Sequence, residues 1–537
     1  MRAPRGRWGR AAAAVVVAGA LGALLPAGCA LAPSVHPVQQ QEFTTPLAIP
    51  PLAPSRVVDG TRVFSLTAQE GSSRFLPGVE TATWGFDGAY LGPTLRASRG
   101  ERVAVEVTND LAEPTSVHWH GMHLPAAMDG GPHQEVAPGA TWRPTWEVDQ
   151  PAATLWYHPH PHGATEEHVY RGLAGLFLLD DDASAAADLP SGYGVDDVPV
   201  VVQDKSFDDD GGLELPDDGG EPGFLGDVVL TNGTVGAYHE VTTERVRLRL
   251  LNGSTARTYA LGFEDREMDL VATDGGLLDA PVRTDRVRLS PGERAEVVVA
   301  VSPGETTRLH SSAADLGGVA ASFAMGGKEA FDVLELRAAD ELAPSPAPVW
   351  EASSHAAGDA LLAEDATVER TFELADREID GRRMDLARID ETVTVGETEV
   401  WTVRSAHPVP HSFHVHDVQL EILDVDGEPP PAPLAGRKDT VYLEPSRTYR
   451  LVLRFDDYTD PDVPYMYHCH MLRHEDEGMM GQLVVVEPGG TAGQVPRTGP
   501  GDRHDHDAAP GAVTPGTVTP GTGPRVVPGA AGHGSHG

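Results

Sequence analysis

The sequence predicts an all-β protein made of three related β-domains. Short runs in which apolar and polar residues alternate recur along the chain between turn-forming residues, and long helical patterns are few. Alternation with a period of two is typical of strands with one buried face, so the pattern indicates antiparallel sandwiches or barrels. A length of 537 residues fits about three domains plus tails.

The strand patterns fall into three blocks, which we interpret as the domains. Arg102–Val107 lies in the first block, Val246–Leu250 in the second and Tyr449–Phe455 in the third. A passage rich in Pro, Ala and Asp separates the second block from the third. The predicted domains are residues 46–185, 190–345 and 365–488.

An internal repeat supports this division. When Gly100–Val107 is aligned with Gly396–Val403, four pairs of the form His-x-His stand in register between the first and third blocks. Self-similarity of this kind indicates one structural unit that is used repeatedly. The aligned pairs are His118/His120 with His414/His416, and His158/His160 with His468/His470.

The middle block joins the repeat without the histidines. Glu244–Leu250 aligns with the two stretches compared above, but Leu261 and Phe263 stand where the other blocks have a histidine pair. We therefore expect metal-binding residues in the first and third domains and none in the second.

Both ends of the chain lie outside the predicted domains. Four arginines precede the apolar run Ala11–Leu25, which is too short to span a bilayer and indicates an export signal in residues 1–29. The signal ends in Leu25-Pro-Ala-Gly-Cys29, which resembles a bacterial lipobox, so Cys29 is either lipidated or lost with a cleaved peptide. Residues 30–45 are predicted as a linker and residues 489–537 as a disordered Gly, Pro and His tail.

The composition argues against a nucleic-acid partner and against stabilisation by disulfides. The formal net charge is −40, so the phosphates of a nucleic acid would be repelled and no nucleic-acid partner is expected. Two cysteines cannot form a disulfide framework, and one of them is Cys29 in the export signal. We expect an exported protein, extracellular or held at the cell envelope, and a monomer.

One stretch near the end of the third block concentrates metal-binding side chains. Cys469 stands between His468 and His470, and His474 and Met479 follow at intervals of five residues. A thiolate, two imidazoles and a weak thioether form the ligand set of a blue-copper electron-transfer site. In a strand, Cys469 faces away from His468 and His470, so one peptide would connect a copper on one face with metals on the other.

His411 supplies the second histidine of this set. It precedes His414 by three residues, so in a continuous strand it points to the face of Cys469. The first domain has no such set, because its corresponding residues are Thr115, Pro159, Ala164 and Val169. We therefore expect the mononuclear site in the third domain.

The four His-x-His pairs predict a second kind of site. Alternation places both members of a pair on one face of a strand, so four strands from two domains can direct eight imidazoles into one shared pocket. Imidazole is a common copper ligand, and eight suffice for three metal ions at two or three each.

These residues resemble the multicopper oxidases, and most of all their three-domain bacterial group of laccases, spore-coat-type oxidases and cuprous oxidases. The resemblance spans residues 45–488 and is strongest in His118–Gly121, Trp156–Gly163 and His468–Met480. The family motif H-P-x-H-x-H-G appears here as His411–Asp417, with Ser412 and Asp417 departing at positions that are not ligands. The resemblance implies three cupredoxin-like Greek-key β-sandwich domains.

The resemblance also implies four copper ions. The type 1 copper would take His411, Cys469, His474 and Met479. The type 2 copper would take His118 and His414. One type 3 copper would take His120, His158 and His470, and the other would take His160, His416 and His468.

The implied reaction couples substrate oxidation to the reduction of dioxygen. Electrons would leave a reductant one at a time and pass through Cys469 to His468 and His470, and four electrons with four protons would convert dioxygen to two waters. Asp129 and Glu475 stand where bacterial members carry acids near the cluster, and we nominate both as proton relays. The alternative is that they are solvated or capping carboxylates.

The reductant is less closely defined. Cuprous oxidases carry a Met-rich insert, whereas this chain has ten methionines and no Met-rich run. We therefore favour a laccase-like oxidase of phenols and aromatics, with metal-ion (cuprous) oxidation for copper tolerance as the alternative. A non-enzymatic copper-binding envelope protein is a third interpretation. A copper nitrite reductase fits poorly, because that family has two domains and one histidine beside its cysteine.

Overall fold

The computed structural model describes residues 38–495 except 217–219, 221, 346–347 and 349–360. Within this part of the chain there are 33 strands and four short α-helices, so the all-β prediction is confirmed. The strands form six sheets, two for each domain, and each pair of sheets encloses an apolar core. The architecture is therefore three sandwiches. The export signal, Cys29 and the tail beyond residue 495 lie outside the described residues.

The first domain carries two of the four histidine pairs. One of its sheets has the order β2-β3-β6-β8, with β4 beside β3 and β9 beside β6, and the other has the order β5-β11-β10-β7. Its helices are α1 (Thr165–Arg171) and α2 (Asp182–Ala186). The strands are β2 (Arg56–Val58), β3 (Thr61–Ser73), β4 (Thr81–Phe86), β5 (Leu95–Ser98), β6 (Arg102–Asn109), β7 (His118–His120), β8 (Thr141–Trp142), β9 (Thr145–Glu147), β10 (Thr154–His158) and β11 (Gly175–Asp180).

The second domain has the same architecture with an apolar interior. Leu261 and Phe263 are buried in its core, where the other domains carry histidines. Its sheets have the orders β14-β13-β12-β16-β21-β18-β19 and β1-β15-β23-β22-β17-β20, and its helix is α3 (Val319–Ala324). The strands are β1 (Thr45–Pro46), β12 (Asp197–Lys205), β13 (Val228–Thr231), β14 (Thr234–Val235), β15 (Ala237–Thr243), β16 (Arg245–Asn252), β17 (Tyr259–Phe263), β18 (Met268–Thr273), β19 (Gly276–Thr284), β20 (Arg286–Leu289), β21 (Arg294–Ala300), β22 (Thr306–Ser311) and β23 (Phe331–Ala343).

The described end of the predicted linker lies against this second domain. Phe43 is buried, and Thr45 of β1 pairs in parallel with Ala237 of β15. One apolar residue and a strand of two residues are too short to show alternation of apolar and polar residues. The sequence therefore predicted only a linker there.

The third domain carries the remaining histidine pairs and the cysteine. Its sheets have the orders β25-β24-β27-β31-β29 and β26-β33-β32-β28-β30, and its helix is α4 (Leu472–Asp476). The strands are β24 (Val368–Ala375), β25 (Glu378–Ile379), β26 (Glu391–Thr394), β27 (Thr398–Ser405), β28 (His411–Val415), β29 (Glu421–Val425), β30 (Thr440–Leu443), β31 (Thr448–Arg454), β32 (Asp460–Cys469) and β33 (Met480–Val486).

The histidine strands are direct neighbours in both outer domains. In the first domain His118 of β7 stands opposite His158 of β10, and in the third His414 of β28 stands opposite His468 of β32. Opposed residues of antiparallel strands project from the same face, so each strand pair presents its imidazoles together. Among the described residues, no helix combines the length and the apolar character needed to cross a membrane.

Candidate metal centres

The eight histidines of the four pairs meet in one buried pocket between the first and third domains. Each is at most 1% exposed to solvent. They come from the ends of neighbouring strands and from the residues that follow them, because His160 and His470 lie just beyond β10 and β32. The structure therefore brings together all eight side chains that the sequence grouped.

Within the pocket the ring nitrogens form three groups. The Nε2 atom of His158 lies 3.4 Å from His120 Nδ1 and 3.4 Å from His470 Nε2. His468 Nε2 lies 3.2 Å from both His160 Nε2 and His416 Nε2. His118 Nε2 and His414 Nε2 are 3.5 Å apart. Two nitrogens bound to one metal ion at about 2.0–2.1 Å are about 3.3–3.6 Å apart, so this spacing fits shared metal ions.

Three of the outer ring nitrogens face backbone carbonyl oxygens of the surrounding protein. The Nδ1 atoms of His118, His158 and His414 lie 3.1, 2.8 and 2.8 Å from the backbone carbonyl oxygens of Asp129, Pro159 and Asp439. An acceptor at the outer nitrogen fixes the tautomer and leaves the inner lone pair free for a metal.

Burial keeps these imidazoles in their metal-binding form. Burial first, and the neighbouring ring of His468 second, lower the pKa of His160 and of His470 to about 3, against an opposing effect of Glu475. Both rings are therefore neutral at pH 7. A neutral imidazole is the form that binds a metal ion, so the pocket does not need to lose protons from these rings first.

The two acids nominated as relays both lie against the pocket. Asp129 Oδ2 is 2.7 Å from His416 Nδ1, and its Oδ1 is 3.3 Å from His118 Nδ1. Glu475 Oε2 is 3.1 Å from His468 Nδ1, and its Oε1 is 3.4 Å from His160 Nδ1. Each carboxylate is 1% exposed and stands between two ligand histidines, so neither is a solvated surface acid.

A second, mononuclear set surrounds Cys469. Its Sγ lies 3.6 Å from His411 Nδ1 and 3.6 Å from His474 Nδ1, and the two nitrogens are 3.2 Å apart. Sulfur and nitrogen atoms bound to one metal at about 2.3 and 2.0 Å are about 3.6 Å apart, so the spacing again fits. Met479 is fully buried, and its backbone oxygen accepts a hydrogen bond from Cys469 N at 3.1 Å.

The thiol of Cys469 needs a cation to become a thiolate. Burial raises its pKa to about 12, so in the copper-free protein the sulfur carries its proton at pH 7. A metal ion that binds there must displace that proton. Without copper, Cys469 is therefore an unreactive buried thiol, and metal binding there releases a proton.

The second domain closes one side of the pocket. Gly292, at a φ of +87°, lies so close to His470 that a Cβ atom there would meet three ring atoms at 3.1 Å. A side chain at this position would push the ring, so the backbone requires glycine for its conformation and for the approach.

Asp439 also lies at this site, although the sequence pattern did not predict it. Its Oδ1 lies 3.1 Å from His120 Nε2 and accepts a hydrogen bond from Thr440 Oγ1 at 2.9 Å. The available signal was weak: Lys438 and Asp439 are two charged residues directly before the apolar strand β30, which pairs with the histidine strand β28.

Asp476 was also missed, and it joins the two histidine domains. Its carboxylate accepts hydrogen bonds from the backbone N–H groups of Thr165 and Glu166, both at 2.8 Å, and so caps α1 from another domain. Ala164, the N-cap residue of α1, offers no side-chain acceptor. In return, Arg473 of α4 donates to Glu166 at 2.9 Å.

Comparisons with known proteins agree with this arrangement. Three family models, each described as multicopper oxidase, match residues 67–184, 217–308 and 360–489. The chain is 34% identical over 435 residues to "Multicopper oxidase mco" of Staphylococcus haemolyticus, covering 80% of this chain and 89% of that protein. It is 36% identical over 448 residues to "Cell division protein FtsP" of Escherichia coli, covering 82% and 92%. The crystal structure of a laccase from Pediococcus acidilactici superposes with a TM-score of 0.76 at 33% identity, covering 84% and 96%.

Proposed function

Because the chain belongs to the multicopper oxidase family, we propose that it is a laccase-like oxidase that couples the one-electron oxidation of phenols and related aromatics to the reduction of dioxygen. The single observation that carries the proposal is the pairing of two complete donor sets. One is the eight-histidine pocket, and the other is the buried His411, Cys469 and His474 set, with Met479 also buried.

The residues that would hold copper follow from the nitrogen groups. Cys469, His411, His474 and Met479 would hold a type 1 ion. His118 and His414 would hold a type 2 ion, and the two groups of three would hold the type 3 pair, namely His120, His158 and His470, and His160, His416 and His468. When bound, copper supplies one-electron exchange at the first set and the four-electron reduction of dioxygen to two waters at the second.

The chain itself connects the two sets. Cys469 belongs to the mononuclear set, and the residues on either side of it, His468 and His470, belong to the pocket. Electrons taken from a substrate one at a time therefore have a covalent route to both type 3 groups. No mobile carrier is needed between the two sets.

Protons must reach the pocket by another route. Four protons are consumed for each dioxygen reduced, and all eight rings around the pocket are buried. Asp129 Oδ2 lies 2.7 Å from the outer nitrogen of His416, and Glu475 Oε2 lies 3.1 Å from that of His468. We propose that these two carboxylates hold and deliver the protons, since a carboxylate within hydrogen-bond reach is a competent acid and base.

A non-enzymatic role is the competing proposal, and one observation supports it. The similarity to a protein named for cell division is as high, at 36%, as the similarity to the oxidases. A purely structural role would not require donor atoms at metal-binding distances, yet this chain keeps every donor of both sets, all of them buried. This observation favours the oxidase.

The experiment is oxygen consumption by copper-loaded protein, with a methoxyphenol and Cu(I) offered in parallel. Faster uptake with the phenol supports the laccase-like proposal, whereas faster uptake with Cu(I) transfers it to metal-ion oxidation. The control is Cys469→Ser, which should lose the blue absorption and turnover, because a hydroxyl does not replace the thiolate. A blue Cys469→Ser variant would refute the ligand assignment, and no uptake by fully loaded wild-type protein would revive the non-enzymatic role.

A further inference from the structure

The second domain has no ligand of its own, but a buried ion pair connects it to the eight-histidine pocket. Arg294, the first residue of β21, donates from Nη1 to Asp439 Oδ1 and from Nη2 to Asp439 Oδ2, each at 2.6 Å. Both side chains are fully buried. The pair joins the second domain to the third and holds both carboxylate oxygens in a bidentate geometry.

The same carboxylate touches a ligand of the pocket. Asp439 Oδ1 is 3.1 Å from His120 Nε2, and Thr440 Oγ1 is 3.0 Å from the same nitrogen. His120 is therefore turned around relative to the other seven rings, because its Nδ1 faces the pocket while theirs is Nε2. An acceptor at Nε2 selects the tautomer with the proton on Nε2 and a free lone pair on Nδ1.

The backbone of Gly121, directly after His120, also lies close to the ion pair between Arg294 and Asp439. Gly121 has a φ of +83°, and a Cβ atom there would lie 2.5 Å from Asp439 Oδ2 and 2.7 Å from Arg294 Nη2. The end of β7 therefore packs directly on the paired charges. Any displacement of Arg294 or Asp439 is transmitted to the residue next to the ligand.

Further charges from the second and third domains hold this pair in place. The backbone N–H of Arg294 donates to Asp274 Oδ1 at 2.7 Å, and Lys438 Nζ lies 2.9 Å from Asp274 Oδ2 and 3.0 Å from Glu293 Oε1. Buried charges are tolerated only when each is compensated, so these groups set one another's positions.

Asp439 could instead be read as a metal ligand, since it forms a group of donor atoms with His120 and His414. Its geometry does not favour that interpretation. Both of its oxygens are bound by the Arg294 guanidinium, and the histidine nitrogens that face it are the outer ones, His120 Nε2 and His414 Nδ1. It orients ligands and does not need to bind metal itself.

We propose that Arg294, contributed by the copper-free domain, is a positioning residue for the type 3 pair: it holds Asp439 so that His120 presents Nδ1 to the pocket. This inference rests on the proposed function. It gives the second domain a role in the site beyond linking the other two. Mutation of residues that hydrogen-bond to a metal ligand without binding the metal typically lowers metal affinity by about 10- to 100-fold.

The test uses Arg294→Lys and Asp439→Asn in the full-length protein. Lysine keeps the positive charge but has no planar fork, so it cannot hold both oxygens of Asp439. Asparagine keeps the shape and one oxygen but offers an N–H group where His120 needs an acceptor. Arg288→Lys is the matched control, because Arg288 also joins the second and third domains, through Glu444 Oε1 at 2.7 Å, without contacting a ligand histidine.

The readouts are copper per chain after dialysis, the blue absorption of the type 1 ion, the near-ultraviolet and magnetic signature of the coupled type 3 pair, and the melting temperature of copper-free protein. Arg294→Lys and Asp439→Asn should keep the blue absorption, lose the type 3 signature and hold part of their copper at least 10-fold more weakly. Arg288→Lys should keep every copper signal.

Three results would overturn the inference. The first is wild-type copper content and type 3 signature in both variants. The second is a lower melting temperature of the copper-free variants with an intact type 3 signature, which would make the ion pair merely structural. The third is loss of the blue absorption together with the type 3 signature, which would indicate a collapsed interface. If wild-type protein itself failed to load four copper ions, the proposed function would fail with it.

Discussion

At the scale of single residues, the site depends on which nitrogen of each histidine faces inward. Seven rings of the pocket present Nε2 and one presents Nδ1, while both rings beside Cys469 present Nδ1. Where a hydrogen bond accounts for the orientation of a ring, an acceptor in the surrounding protein binds its outer nitrogen and turns the other nitrogen inward. Behind His416 the acceptor is Asp129 Oδ2, and behind His468 it is the carbonyl oxygen of Cys469 at 3.2 Å. Glu475 Oε2 lies 3.1 Å from the same nitrogen of His468, so both carboxylates stand where the proposed proton relay needs them.

Replacement of Asp129 by asparagine tests the proton role. Asparagine keeps the volume and an oxygen for His416 but cannot take up and release a proton near neutral pH. We expect reoxidation of the reduced enzyme by dioxygen to slow by about 100-fold, while substrate still reduces the type 1 ion at the wild-type rate. Stopped-flow absorption separates the two steps.

The control for that variant is Asp149→Asn, because Asp149 is an exposed acid of the same domain that forms a surface ion pair with Arg99. It should change neither step. Unchanged reoxidation in Asp129→Asn would remove Asp129 from the proton path.

At the scale of elements, two short helices lock the histidine domains together. α1 begins shortly after His158, the last residue of β10, and His160, and α4 carries His474 just after His470. Asp476 of α4 caps α1, while Arg473 binds Glu166. Each helix is too short to be stable alone, so it is stabilised by side chains from the other domain.

Removal of this cap should weaken both the helix and the site. Asp476→Ala should lower the free energy of unfolding by about 1 kcal/mol, the typical contribution of an N-cap. Because α1 and α4 flank the ligand loops, we also expect faster loss of copper to a chelator, measured as copper per chain against time.

The matched control is Asp181→Ala, which removes the N-cap of α2, where Asp181 accepts from Ser184 N at 2.7 Å. It should cost similar stability and leave copper retention unchanged. Equal copper loss in the two variants would show that the cap between domains has no special connection to the site.

At the scale of the whole molecule, the pocket is assembled by all three domains. The first and third supply the ligands, and the second supplies Gly292 against His470 and the Arg294–Asp439 pair behind His120. Without copper, this assembly buries many ionisable rings in one place. Burial lowers the pKa of His160, His411 and His470 to about 3.

These shifts predict that the copper-free protein is acid-sensitive. An exposed histidine in the unfolded chain takes up a proton near pH 6.5, whereas these three buried rings do so only near pH 3. Between those values the unfolded state binds more protons, so stability is greatest above pH 6.5 and falls as the pH is lowered, by up to about 1.4 kcal/mol per pH unit for each ring.

Denaturant unfolding of copper-free protein at pH 7.5 and pH 5.5 measures this effect. Copper-loaded protein is the comparison and should lose at least as much stability over that interval, because its rings are also unprotonated when folded and its Cys469 thiolate, unlike the buried thiol of the copper-free form, takes up a proton on unfolding. Equal or greater stability of the copper-free form at pH 5.5 would contradict the prediction.

The fold and the grouping of the ligands could be read from the chain because both follow from local geometry. Alternation along a strand puts His118 and His120 on one face and separates Cys469 from His468 and His470, whatever the rest of the molecule does. The internal repeat then relates the two sets of strands, and Leu261 and Phe263 mark the domain without histidines.

The supporting residues could not be found this way, because nothing local distinguishes them. His120 meets Asp439 across 319 residues of sequence, Arg294 meets Asp439 across 145, and Asp476 meets Thr165 across 311. Their roles arise only when sheets from different domains pack and bury the groups together. By itself, then, the sequence determined the three β-domains and which side chains share a face, since covalent geometry sets strand alternation. Only the tertiary structure decided which ring nitrogen faces inward, which carboxylates stand behind the ligands and how the copper-free domain takes part, since those depend on contacts between distant segments.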